Sequence, residues 1–311
     1  MKYTSFHTYK VSKLALGTVQ LGMDYGIANR QGAPSVAEAH ALLAASAANG
    51  INSFDTSPTY GTSEDVLGSY LAGVKKEDIF IVSKFKYDTD LASDLEKVWT
   101  EVKGIVEKSL TRLGIQKLPL ILYHKGASES MEQVKNVVPE LLDRLKDENL
   151  IAHGGISLYY SSEANDLLAD HAFEVLQIPL NVLDQEIIAN GTLQKLHDKG
   201  KLVMVRSVFL QGLFWKDPED LSGKLSAAAP YLKKLNQLAA DHRITLAELA
   251  FSFIRDLETV DSLVIGAENI VQVEANIRLL NAPLLAPELR NELLKLSTDV
   301  PIEVITPALW N

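Results

Sequence analysis

The 311-residue chain contains no cysteine. That absence removes disulfides, thiolate metal sites and a cysteine nucleophile from consideration, and it agrees with a reducing compartment. Long apolar runs are lacking as well; none approaches the ~20 residues needed to span a bilayer. The opening residues, Met1 to His7, hold no apolar signal core. Positive charge is scarce: 40 acidic residues against 30 Lys and Arg leave a formal net charge of -10. Nucleic acids and anionic membranes call for basic faces, so neither is expected as a partner. The seven histidines show neither HxxxH nor HExxH spacing, and no metal site is expected from them. The expectation is a cytoplasmic, soluble protein.

Apolar residues are plentiful, 47% of the chain, which is ample for a large core. Short apolar runs alternate with longer amphipathic segments from start to finish. Strand-like runs fall at 13–18, 51–55, 78–84, 120–124, 152–157, 174–178, 202–206 and 263–266. Helical segments fall between them, at 36–49, 63–72, 94–113, 131–148, 162–169, 193–199, 230–241, 246–255 and 271–279. Continuous apolar strands separated by helices indicate a parallel sheet covered on both faces. Eight such units in about 250 residues fit an α/β fold of the (β/α)8 TIM-barrel kind. A doubly wound sheet calls for G-x-G-x-x-G after its first strand; Gly17-Thr18-Val19-Gln20-Leu21-Gly22 lacks that spacing. No linker or low-complexity stretch divides residues 1–311, so one domain is expected. The long irregular segment from Phe209 to Ala227 reads as a lid or binding loop.

Four polar residues end strands or follow them closely: Asp55, Tyr60, Lys84 and His124. In a parallel barrel all strand C-termini open on one face, so the four can converge. An ammonium beside a phenol favours the phenolate and makes the phenol a better proton donor. Asp55 holds Lys84 charged and aimed, and His124 can bond a carbonyl oxygen. Together they form a general acid for an oxygen that gains charge. The electron pair must come from elsewhere, and a nicotinamide hydride is the natural source. Each residue alone also has an ordinary reading: a turn carboxylate, a rim aromatic, a solvated lysine, a loop-satisfying histidine. The set in this order is what carries the reading.

These residues resemble the aldo-keto reductase family. Asp55-Thr56-x-x-x-Tyr60-Gly61, with Lys84 and His124 each closing an apolar strand, is similar to the family's catalytic tetrad. Gly17-Thr18, Gly155-Ile156-Ser157, Gln177, Ser207 with Gln211-Gly212-Leu213, and Gly266 with Asn276 follow the order of its cofactor motifs. The resemblance runs from about residue 12 to 280. It implies a (β/α)8 barrel that reduces aldehydes and ketones, generally with NADPH. It also implies that Tyr60 donates the proton, that Lys84 and Asp55 tune it, and that His124 orients the carbonyl. The implied cofactor contacts are Gly17, Thr18, Ser157, Gln177, Arg206, Ser207, Gln211, Gly212, Gly266, Gln272 and Asn276.

Three departures stand out. Leu158 follows Ser157 where the family usually has Asn. Arg206 stands where it often stacks an aromatic; a guanidinium plane can also stack on a flat ring, or pair with a nearby acid. The segment from Gly266 to Asn276 has no Lys or Arg for a 2′-phosphate. Glu268 could instead serve a free 2′-hydroxyl, as acids do in NAD sites, or cap the next helix. The cofactor is therefore read as NADP(H) or NAD(H), with family habit favouring the first. Tyr25, Phe85 and the Phe214-Trp215 pair are candidate walls for a small carbonyl or alcohol substrate, and Val304 to Trp310 a candidate cover for the mouth. Two alternatives stay open: a cofactor-independent lyase or isomerase on the same barrel, and a non-catalytic cofactor sensor.

Overall fold

A computed structural model describes residues 1–27, 29, 32–296 and 300–310. Eight parallel strands close into a barrel: β3 (Leu14–Gly17), β4 (Ser53–Asp55), β5 (Phe80–Phe85), β6 (Leu118–His124), β7 (Ile151–Ser157), β8 (Val175–Pro179), β9 (Leu202–Arg206) and β10 (Ser262–Gly266). Strand β10 pairs back on β3, with Gly266 opposite Gly17. All eight expected runs are strands, each shifted by at most two residues at either end.

A two-stranded hairpin precedes the barrel, formed by β1 (Tyr3–Phe6) and β2 (Tyr9–Ser12). The sequence reading had no strands there. Phe6 and Val11 are buried with Ala15, Phe80, Val82, Leu120, Leu122, Val175, Leu202 and Met204. Those eight belong to barrel strands, so the hairpin plugs the end where the strands begin. The other end, where the strands finish, is the one that opens on a cavity.

The barrel interior and the layer beneath the helices are separate cores, and strand parity sorts residues between them. On β5, Phe80 and Val82 join the interior while Ile81 and Phe85 pack outward. Gly17, Asp55, Lys84, His124, Ser157, Gln177, Arg206 and Gly266 all share the interior parity of their strands. Each lies at or near a strand's C-terminal end, so they form the topmost inward layer.

The helices follow ordinary rules. Helix Leu95–Leu113 starts on Asp94, whose carboxylate caps Lys97 N, and stops at Gly114 with φ 62. The segment expected as helix at 162–169 is a 3-10 helix, Ser161–Leu167. Phe209 to Ala227 is not a structureless loop: it winds through 3-10 pieces at Leu210–Trp215, Pro218–Asp220 and Gly223–Ala228. Helix Pro287–Leu296 was not expected. The tail forms a short helix, Ile302–Ile305, with Val304 buried. It packs on Gly223–Ala228; none of its described residues lines the cavity below. No helix among the described residues is long and apolar enough to cross a membrane.

Candidate active site

At the open end of the barrel lies a cavity of about 720 Å³. Asp55 lines its floor and is paired with Lys84, which lies buried beneath. Lys84 Nζ lies 2.7 and 2.8 Å from the two oxygens of Asp55, and donates to Thr56 O at 3.0 Å. Both side chains are buried, Lys84 to 1% exposure. A lone buried charge would cost several kcal/mol; here each charge answers the other. Burial works against the ammonium, but the Asp55 carboxylate overrides it and Tyr60 adds to the effect. The net result holds Lys84 above lysine's ordinary pKa.

Asp55 is held from a second side. Gln177 Nε2 donates to Asp55 Oδ1 at 2.7 Å, and Ser157 Oγ donates to Gln177 Oε1 at 2.9 Å. Strands β4, β5, β7 and β8 therefore lock one carboxylate.

Tyr60 stands above this pair, half-buried, with Lys84 Nζ 4.9 Å from its ring centroid. The turn carrying it needs close packing. Gly61 adopts φ 57, and a Cβ on Gly22 would fall 2.0 Å from Tyr60 O, so neither position accepts a larger residue without shifting the tyrosine.

His124 meets Tyr60 edge-on, ring centroids 6.4 Å apart. Its Nδ1 is buried without a hydrogen-bond partner. Burial first, then the cations Lys84, Lys86 and Arg206, push its pKa down to about 2. His124 is thus neutral at working pH, able to donate one N–H without carrying charge. Because its folded pKa lies below the unfolded value near 6.5, it costs stability as pH falls from about 6.5 towards 2. In turnover, His124 is expected to contribute no limb between pH 5 and 8. The pH profile of kcat/KM should keep its shape in His124→Asn while its height falls. A limb near 6.5 that vanishes in the variant would contradict this.

The cavity walls include Gly17, Tyr25, Tyr60, Gln177, Arg206, Ser207, Gln211, Gly212, Trp215, Gly266, Gln272 and Asn276. Ser207, Leu210 and Gln211 have φ of 64, 44 and 52. Left-handed backbone in non-glycine residues costs about 1–3 kcal/mol each and gathers at functional sites. The strained stretch reaches across the mouth: Gln211 O accepts from Ile27 N at 3.1 Å, and Gln211 Nε2 donates to Tyr25 Oη at 3.0 Å. Trp215 packs edge-on against Phe209, also in the wall.

Four expected contacts are placed elsewhere. Phe85 is 2% exposed and packs on Tyr123 outside the barrel, because it follows the inward Lys84 by one residue. It is not a wall of this cavity. Thr18 is fully buried; its hydroxyl donates to Asp55 O at 2.9 Å and meets Ser63 Oγ, tying β3 to β4. Ser157 lies beneath the wall and reaches the cavity only through Gln177. Phe214, named with Trp215, is buried in the core. Arg206 pairs with no acid among the described residues. It donates to Leu158 O at 2.7 Å and to Ser207 Oγ at 3.1 Å, leaving its buried Nε without a partner.

Several lining residues escaped the sequence reading: Gln20, Asn29, Phe209, Thr245 and Arg278. Gln20 lies over Gly266, where a Cβ would meet its side chain at 2.3 Å. Arg278 matters most, a basic residue two positions past the Gly266–Asn276 segment. Helix Ile270–Leu280 presents Gln272, Ala275, Asn276 and Leu279 to the cavity, a helical spacing that extends to Arg278. Glu268 lines the same end and exchanges hydrogen bonds with Gln272. The cap of that helix is Asn269, not Glu268.

A model described as the aldo/keto reductase family matches residues 13–292. Among curated proteins, L-galactose dehydrogenase of Arabidopsis thaliana is 26% identical over 285 residues, covering 86% of this chain and 84% of its own. The NADH-specific methylglyoxal reductase of Escherichia coli is 24% identical, covering 75% and 79%. Among solved structures, the holo form of an aldo-keto reductase from Bacillus halodurans superposes with a TM-score of 0.76 at 23% identity, covering 98% and 99% of the two chains.

Proposed function

The chain belongs to the aldo/keto reductase family, and from that premise we propose that it reduces an aldehyde or ketone to the alcohol with a nicotinamide cofactor. One observation carries the reading: a buried, fully answered Lys84–Asp55 pair beneath Tyr60, at the floor of a cavity of about 720 Å³. That volume lies within the usual range for small-molecule sites. The residues also fit a large polar cofactor. Gln20 Oε1 and Arg206 Nε are buried, lack partners and belong to lining residues, and buried polar atoms are seldom left so.

When bound, the nicotinamide supplies a hydride. Tyr60 gives its proton to the carbonyl oxygen, and Lys84 favours the phenolate left behind. Neutral His124 donates a hydrogen bond to the same oxygen and orients the carbonyl. Asp55, braced by Gln177 and Ser157, keeps Lys84 charged. Gly17, Gln177, Arg206, Ser207, Gln211, Gly212, Gly266, Gln272 and Asn276 hold the cofactor. Tyr25 and Trp215 wall the substrate, with Asn29 and Gln211 as polar partners. An aromatic wall with amide partners suits a small sugar carbonyl, in keeping with the relative named for L-galactose.

At the far end Arg278 and Glu268 pull in opposite directions. Arg278 is exposed and pairs with Glu274 only at 4.0 Å, a weak surface pair that it can exchange for a 2′-phosphate. Glu268 suits a free ribose hydroxyl. NADPH and NADH are therefore expected to bind within about 100-fold of each other, a gap near 2.7 kcal/mol. Arg278→Ala should weaken NADPH alone, by about fivefold for one exposed pair. Fluorescence titration measures both. A preference for NADPH above that limit would contradict the balance.

Absorbance at the reduced nicotinamide band, followed with a panel of aldehydes and sugars, tests the whole reading. Cofactor oxidation with alcohol formation is expected. Substrate conversion without cofactor would favour the lyase alternative, and binding without turnover the sensor.

A further inference from the structure

At the plugged end of the barrel, remote from the cavity, three residues distant in sequence bring ligand atoms together. His7 stands at the turn between β1 and β2, His153 lies on β7, and Glu174 directly precedes β8. His7 Nε2 is 3.0 Å and His153 Nδ1 is 2.9 Å from the same atom, Glu174 Oε2. All three ligand atoms lie within 4.8 Å of one another. In a tetrahedral site with bonds of ~2.0–2.2 Å, neighbouring ligand atoms are about 3.3 Å apart. The two histidine-to-carboxylate distances are close to that spacing. The other oxygen, Glu174 Oε1, accepts from Lys146 Nζ at 2.9 Å, which fixes the carboxylate.

We infer that His7, His153 and Glu174 form a site for one first-row divalent ion of the zinc type, tying the hairpin to the barrel floor. Two imidazoles and a carboxylate suit zinc, and are a poor set for the oxygen-seeking magnesium or calcium. The His7 side chain is 53% exposed, so the fourth position opens to water. The two rings are stacked at 4.1 Å with 18° between their planes. An ion bound in the plane of both rings requires one of them to turn out of the stack. His7, on an exposed turn, has the room. Lys146, 2.9 Å from Glu174 Oε1, opposes a second cation and lowers the affinity below that of a closed structural site. Histidine spacing in the sequence could not show this group, because its members meet only through the hairpin's fold onto β7.

The test uses full-length, untagged protein stripped with chelator and then titrated with zinc chloride by calorimetry, with bound metal measured after dialysis. The wild type is expected to hold one equivalent and to melt at a higher temperature with zinc than without. His7 adopts φ 50, which Asn tolerates, so His7→Asn keeps the turn. His7→Asn, His153→Ala and Glu174→Gln should each weaken binding by about 10-fold or more and lose the zinc-dependent rise in melting temperature. Carbonyl reduction by His7→Asn should stay at the wild-type level. No saturable zinc binding by the wild type would overturn the inference, as would binding unchanged in His7→Asn and His153→Ala. The trio would then be a hydrogen-bonded clamp alone.

Discussion

Tyr60→Phe is expected to lower kcat for carbonyl reduction by roughly 10²- to 10⁴-fold, the usual worth of a positioned general acid. That is about 3–5 kcal/mol of barrier. The ring stays over Lys84, so the cation–π contact survives and only the proton donor is lost. The cofactor's dissociation constant and the melting temperature should barely move. A fall in cofactor affinity of the same size as the fall in kcat would place Tyr60 in binding instead of proton transfer. Stopped-flow single turnovers beside an equilibrium titration separate the two.

Lys84→Met is expected to do more, because it damages fold and chemistry at once. Asp55 would keep its bond from Gln177 but lose both contacts to the ammonium. Breaking a buried pair by removing one partner costs about 3–5 kcal/mol. Denaturant unfolding should show that loss, and turnover should fall at least as far as in Tyr60→Phe. The double variant Asp55→Asn/Lys84→Met separates the two effects. It removes the stranded charge, so stability should largely return while turnover does not. If stability stays as low as in the single variant, the cost lies in packing and not in an uncompensated carboxylate.

Much of this site could be read from the chain alone, and the reason is parity. Asp55, Lys84, His124 and Arg206 each close a short apolar run, Gln177 lies within one at the same inward parity, and a parallel barrel brings run ends together. The same period-two rule decides Phe85: it follows Lys84 by one residue and must face the helices. Reading it as a pocket wall overlooked a constraint already present in Ile81-Val82-Ser83-Lys84-Phe85. Thr18 was a different case. It falls just past the strand, which ends at Gly17, and its hydroxyl is consumed by Asp55 O and Ser63 Oγ, partners that only the closed barrel supplies. Arg278 lies within reach of helical periodicity, on the same helix face as Ala275 and Leu279 but beyond the motif that closes at Asn276. The N-terminal hairpin left almost no signal. Tyr3–Phe6 and Tyr9–Ser12 have four residues each, too short for alternation to stand out. What makes them strands is the open barrel end that Phe6 and Val11 fill.

The central claim is that this barrel delivers a hydride and the Tyr60 proton to one carbonyl. The most direct measurement supplies reduced cofactor carrying deuterium at both positions of the nicotinamide C4, with an aldehyde substrate, and analyses the alcohol by mass spectrometry and NMR. The account predicts one deuterium on the carbinol carbon per cofactor oxidised, with product formation all but lost in Tyr60→Phe. Product free of deuterium, or formed equally fast by the variant, would contradict it.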